Sequence, residues 1–208
     1  ASKLSPNFEM FIAAVKAAQV DKTDCVLIDD RAKNIARAMQ FFQVAEGHSQ
    51  AYAESLEKLA ENFKEVRPHF VAAVPRLLEK SHQKILDRVN ASPRFLKKIF
   101  FASVGLGLTI SQLLQKRLKP PFLKRLVYWV ASLLLLRKVR RGFGGRIKVI
   151  VSGGAPLAKE VAQFFHAIGI LVIEGYGLTE TFAAVAINRP DDFRFGTIGK
   201  PLEGVRIK

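Results

Sequence analysis

Apolar positions along the chain fall into two rhythms, and the change from one to the other predicts the elements. Leu56, Leu59, Phe63 and Val66 recur at helical spacing and share one face. Phe8 to Ala18, Arg31 to Phe42 and Arg76 to Val89 read as helices on the same ground. A long helical stretch follows the break at Pro93 and runs to Lys119, where Pro120 and Pro121 stop it. A further helix runs to about Arg141, and Gly142 to Gly145 reads as a turn. The strands are short, continuous apolar runs: Asp24 to Asp30, His69 to Val74, Arg146 to Ser152 and Ile170 to Glu174. Polar Gly47 to Gln50 reads as a seam.

The last two strands bracket a predicted helix from Leu157 to Ile168, with Pro156 in its first turn and Gly169 at its end. A strand–helix–strand unit makes its strands parallel. The fold class is therefore α/β, a partial, mostly parallel sheet flanked by helices. Two glycine-rich segments leave carboxyl strand ends, SGGAP (Ser152 to Pro156) and EGYGLTET (Glu174 to Thr181). Ligands of open α/β sheets bind outside those ends.

Taken singly, each segment is an ordinary turn, and their joint placement gives them chemistry. Tyr176, between Gly175 and Gly177, can stack on a planar heterocycle. Thr179 and Thr181 offer hydroxyls to phosphate oxygens, and Glu180 offers a carboxylate to Mg²⁺. Backbone at Ser152, Gly153, Gly154 and Ala155 can approach a base edge. Together these describe an ATP site. The chain contains neither G-x-x-x-x-G-K-[ST] nor G-x-G-x-x-G, which sets aside Walker-type and dinucleotide-binding domains.

Charge adds a second feature. The net charge is +15, and sixteen Lys and Arg between Arg88 and Lys159, with no acid among them, account for the whole excess. Inside that region the run Leu126 to Leu136 is flanked by Lys124 and Arg125 and by Arg137 to Arg141. It is shorter than the roughly 20 residues a bilayer span takes. One reading is a buried helix with solvated ends. A second is a helix lying on an anionic membrane surface. Nucleic acid is not expected, because no binding motif appears and aromatics are not interleaved with the basic residues. A single cysteine, Cys25, excludes an internal disulfide framework and suits a reducing, cytoplasmic setting, with peripheral contact at the inner membrane surface under the second reading.

The segments AVPRLLEK (Ala73 to Lys80), SGGAPL (Ser152 to Leu157), EGYGLTET and NRPDDFRFGTIGKPLEGVRIK (Asn188 to Lys208) resemble the adenylate-forming, AMP-binding superfamily, bacterial long-chain fatty-acid–CoA ligases in particular, from about Tyr52 onward. The resemblance implies the middle piece of the large N-terminal lobe of such an enzyme. It implies fatty acid, ATP and CoA as substrates, with Mg²⁺. By that resemblance Gly153, Gly154 and Ala155, with Ser152 and Pro156 beside them, line an adenine pocket. Tyr176, between Gly175 and Gly177 and next to Glu174, stacks on the base. Thr179 binds phosphate and Glu180 holds the metal. An apolar acyl tunnel is expected near Gly175–Gly177 and Gly196–Gly199. The family's Ser/Thr/Gly-rich phosphate loop, its ribose-binding Asp and its lysine-bearing C-terminal lobe find no match in the chain, so the piece is expected to be inactive alone. Residues 1–46 resemble instead the tail of a haloacid-dehalogenase-like hydrolase, with Lys3 and with Asp29 and Asp30 at its acidic motif. That resemblance implies a join near 46–50 between this tail and an AMP-binding core at 47–208. A remnant phosphatase is the third functional reading, and it lacks the D-x-D-x-[TV] nucleophile motif.

Overall fold

A computed structural model describes residues 25–28, 49–55, 57–116, 118–178, 181, 184–202 and 204–207. The expected helices at Phe8 to Ala18 and Arg31 to Phe42 lie outside these residues, as do Lys3, Asp29, Asp30, Thr179 and Glu180.

Seven strands among the described residues form one sheet. They are β1 (Cys25–Ile28), β2 (Ser49–Tyr52), β3 (Phe70–Ala73), β4 (Val149–Ser152), β5 (Leu171–Gly177), β6 (Ala184–Ile187) and β7 (Lys200–Pro201), in the order β2-β1-β3-β4-β5-β6-β7. The pairs from β2 through β5 are parallel, and β6 and β7 add on antiparallel. The expected seam at Gly47 to Gln50 runs into β2, whose Ser49 and Gln50 pair with Cys25 and Val26 of β1. Strand β1 in turn pairs with β3, so residues on both sides of 46–50 share one sheet. The fold class read from the pattern holds: parallel strands flanked by helices.

The helices are α1 (Leu59–Val66), α2 (Pro75–Asn90), α3 (Arg94–Gln115), α4 (Phe122–Ala131), α5 (Arg137–Gly142) and α6 (Lys159–Ala167). A π-helical turn, Ser132–Leu136, joins α4 to α5. Pro75 opens α2 because a first-turn residue has no helical partner for its missing N–H. Gly169 ends the turn after α6, its amide donating to the His166 carbonyl at 3.0 Å. Pro156 is not in the first turn of α6, which starts at Lys159 after Ala158; it lies in the preceding loop.

One face of β3, β4 and β5 presents Val71, Ala73, Ile150 and Val172 to the helices, where Leu77, Leu78, Val161 and Phe165 cover them. Phe63, Phe143 and Phe165 interlock by their rings, with centroids 5.4 and 5.7 Å apart. Burying a side chain of this size stabilises by about 1.5–3 kcal/mol. This core fixes β4 and β5 against α6 and so fixes the two loops at their carboxyl ends. Helix α4 departs from the buried reading: none of its residues is buried.

Candidate functional site

Strands β4 and β5 run side by side, with Val149 to Ser152 opposite Leu171 to Glu174. Strand β4 ends there, but β5 continues through Gly175, Tyr176 and Gly177, which pair with β6 instead. The overhang forms a ledge beyond the end of β4. The loop Gly153 to Pro156 leaves β4 beside that ledge, so the two glycine-rich segments of the sequence do meet.

The loop is held by a specific bond at each end. The Gly153 amide donates to the Ala73 carbonyl at 3.3 Å, which anchors the loop to β3. Gly154 has φ of +85°, a left-handed conformation natural to glycine, and open space where a Cβ would stand. Ala155 and Pro156 are exposed. At the far end, the Leu157 amide donates to Glu174 Oε2 at 3.2 Å. Glu174, expected among the ligand contacts, therefore ties the loop to β5.

Ser152 is the last residue of β4 and shares the helix-side face with Ile150, two residues before it. Its hydroxyl is the buried side-chain polar atom without a hydrogen-bond partner among the described residues, at 1% exposure. Leaving such a group unmet costs about 1–3 kcal/mol.

On the ledge, Tyr176 is 41% exposed and presents its ring to solvent. The β5–β6 register shifts between Tyr176 and Gly177, a bulge that re-aims the side chains around it. Past the strand, Leu178 and Thr181 close a turn: the Leu178 amide donates to Thr181 Oγ1 and that hydroxyl donates to the Leu178 carbonyl, both at 2.9 Å. The Thr181 hydroxyl, expected at phosphate, thus supports its own turn. Thr179 and Glu180 lie outside the described residues.

A residue not singled out from the sequence organises the far border. Asn188 is buried; its amide donates to the Glu174 carbonyl at 3.0 Å, and its Oδ1 accepts from the Arg194 amide at 2.9 Å. Its Nδ2 donates to the Thr197 carbonyl. An asparagine directly after a strand and ahead of the turn residues Pro190 and Asp191 is the signal that marks it. Gly199 has φ of +81° and lies against the backbone of Ile187 and Asn188, where no Cβ fits. That close approach accounts for Gly199, and Gly175 to Gly177 pair with β6.

Among the described residues no three His, Cys, Asp or Glu side chains gather to hold a metal.

A family model described as AMP-binding enzyme matches residues 33–208. The long-chain fatty-acid–CoA ligase FadD15 of Mycobacterium bovis is 31% identical over 174 residues, covering 84% of this chain and 28% of its own. Long chain acyl-CoA synthetase 1 of Arabidopsis thaliana is 33% identical over 159 residues, covering 72% of this chain and 22% of its own. A benzoate CoA ligase from Burkholderia xenovorans has the same arrangement, with a TM-score of 0.55 at 18% identity over 95% of this chain and 32% of that one, a likeness of fold. The chain spans less than a third of the length of these curated relatives.

Proposed function

The chain belongs to the AMP-binding enzymes, and on that premise we propose that it forms the nucleotide-holding part of a long-chain fatty-acid–CoA ligase. The observation that carries this reading is the meeting of the Gly153–Pro156 loop with the overhanging end of β5, with the unpartnered Ser152 hydroxyl beneath. In the proposed reaction a fatty-acid carboxylate attacks the α-phosphate of ATP, forming an acyl-adenylate and releasing pyrophosphate. The thiol of CoA then attacks the acyl carbon and AMP leaves.

The residues take separate roles. Tyr176 stacks on adenine, worth about 1 kcal/mol beyond the area it buries. Backbone at Gly153, Gly154 and Ala155 meets the edge of the base, and Ser152 gains the partner it lacks. Pro156, Gly175 and Gly177 shape the walls. Glu174 acts as a positioning residue through Leu157. Thr179 bonds a phosphate oxygen and Glu180 holds Mg²⁺; these two assignments rest on the family resemblance of YGLTET. The metal, when bound, offsets charge on the phosphates.

Binding of a non-hydrolysable palmitoyl-adenylate analogue tests the reading. The chain is expected to bind it, Tyr176→Ala to bind about tenfold more weakly, and Tyr176→Phe to keep wild-type affinity. Equal binding by Tyr176→Ala would remove the ring from the site.

The single Cys25 supports a cytoplasmic setting. The division into a haloacid-dehalogenase-like tail at 1–46 and a core at 47–208 remains a proposal, supported by the segments around Lys3 and Asp29–Asp30. Weighing against it, β1 pairs with β3 and the family match starts at residue 33. Limited proteolysis decides: two stable pieces cut at 46–50 support the division, and protection there refutes it.

A further inference from the structure

Between β6, which ends at Ile187, and β7, which starts at Lys200, the chain folds back onto α6. Arg189 and Asp192 first close a turn, the amide of each donating to the carbonyl of the other at 3.3 and 3.0 Å. Phe193 and Phe195 then lie against His166 near the carboxyl end of α6, their ring centroids 5.2 and 5.5 Å from its own. Phe195 is buried. Gly196 passes over the stem of Lys159, the first residue of α6, so closely that a Cβ there would touch its Cβ, Cγ and Cδ. Lys159 and His166 stand about two turns apart and so share one face of the helix. Residues 193–196 therefore form a strap along that face, on the helix that follows the Gly153–Pro156 loop.

One buried side chain grips the strap. Asn188 accepts from the Arg194 amide with its Oδ1 and donates to the Thr197 carbonyl with its Nδ2, so it holds the strap on both sides of Gly196. Its own amide donates to the Glu174 carbonyl, and the Glu174 carboxylate accepts from the Leu157 amide at the end of the loop. Leu157 leads through Ala158 into Lys159, which the strap covers. The contacts close a ring: loop, Glu174, Asn188, strap, start of α6 and loop again. An asparagine that only shaped a turn would bond to backbone two residues on. Asn188 bonds instead to residues six and nine positions ahead. The ion pair of Lys200 with Asp192 lies at the surface, where such pairs contribute little.

We propose that Asn188 is a positioning residue of the candidate nucleotide site. By clamping the strap on the start of α6, it fixes the seat of the Gly153–Pro156 loop against the β5 ledge. It acts through Glu174 and the strap, not on the nucleotide. The loop has two anchors, Gly153 on β3 and Leu157 on Glu174, and the second alone belongs to the ring. Loss of Asn188 therefore loosens the exit of the loop and leaves its start in place. The inference rests on the nucleotide reading and adds to it the residue that places the loop.

A double-mutant cycle of Asn188 with Glu174 in the full chain tests this, read by binding of the palmitoyl-adenylate analogue and by amide exchange of the free protein. Asn188→Ala is expected to bind about tenfold more weakly, with two hydrogen bonds lost at once. Amide exchange should quicken at Leu157 and hold at Gly153. Glu174→Ala, about fivefold by itself, should cost roughly twofold or less when added to Asn188→Ala, because both changes break one ring. Asn188→Asp keeps the size of the side chain and the acceptor for the Arg194 amide; it is expected to lose about threefold, and it replaces Asn188→Ala in the cycle if that variant does not fold. Phe63→Leu, a core change in α1, is the control: it should lower the melting temperature and leave the affinity unchanged. Unchanged affinity or unchanged Leu157 exchange in the Asn188 variant would overturn the proposal. So would losses that multiply to about fiftyfold in the double variant, or an equal loss of affinity in Phe63→Leu. Each of these leaves the nucleotide reading standing, since the wild-type chain binds. A wild-type chain that does not bind the analogue would remove the nucleotide reading and this inference with it.

Discussion

Gly199 and His166 show how single residues are committed by neighbours distant in the chain. Gly199 lies at φ of +81° against the backbone of Ile187 and Asn188. Gly199→Ala is expected to destabilise by about 3 kcal/mol, from the unfavourable conformation and the displaced β6 backbone together. Denaturant unfolding measures it, and a change below about 0.5 kcal/mol would mean the turn yields freely. His166 is partly buried, 2.7 Å from the Ser111 hydroxyl and packed against the rings of Phe193 and Phe195. Burial lowers its pKa from 6.5 to about 4. Between those values the unfolded chain takes up a proton that the folded one does not. Stability present above about pH 6.5 therefore falls as the pH drops toward 4, by about 3 kcal/mol in all. Thermal melts across that range should show the loss, and His166→Gln should flatten it. An equal slope in both proteins would place the acid sensitivity elsewhere. Neither commitment is legible in the sequence. A glycine in GTIGKPLEG and a histidine on a helix announce nothing until β6 and the 193–195 segment are laid against them.

At the scale of elements, the β4–α6–β5 unit is legible because its apolar runs are short, its turns carry glycine, and its helix repeats at Val161, Phe164, Phe165 and Ile168. Strands β6 and β7 are not, since β7 is only two residues, Lys200–Pro201, too short to leave a pattern. Helix α4 fails for a different reason. Periodicity tells which residues share a face but not which way that face points, and α4 points its apolar face out. The π-helical turn that follows changes the phase, and Leu136 at its end is fully buried. Glu174 was visible as an acid beside the ledge, whereas its work on Leu157 needs the loop folded back onto it. Glu174→Ala is expected to speed amide exchange at Leu157 and to weaken adenylate-analogue binding about fivefold, one hydrogen bond's worth. Glu174→Gln keeps an acceptor and should restore most of the affinity. Indifference to both substitutions would remove the tie from the account.

Across the whole molecule, helix α6 separates two surfaces. The carboxyl ends of β4 and β5 carry the Gly153–Pro156 loop and the exposed Tyr176 ring, proposed above to hold a nucleotide. The basic α3–α4 region lies at the far end of α6 and presents apolar side chains framed by cations. Membership of the AMP-binding enzymes gives the first surface its expected ligand. The two glycine-rich segments are proposed to form one adenine-nucleotide site. Photolabelling the chain with 8-azido-ATP, followed by peptide mapping, tests it most directly. Label is expected on the peptides carrying Gly153 to Pro156 and Gly175 to Gly177, displaced by excess ATP. Label confined to other peptides, or label that ATP does not displace, would contradict it.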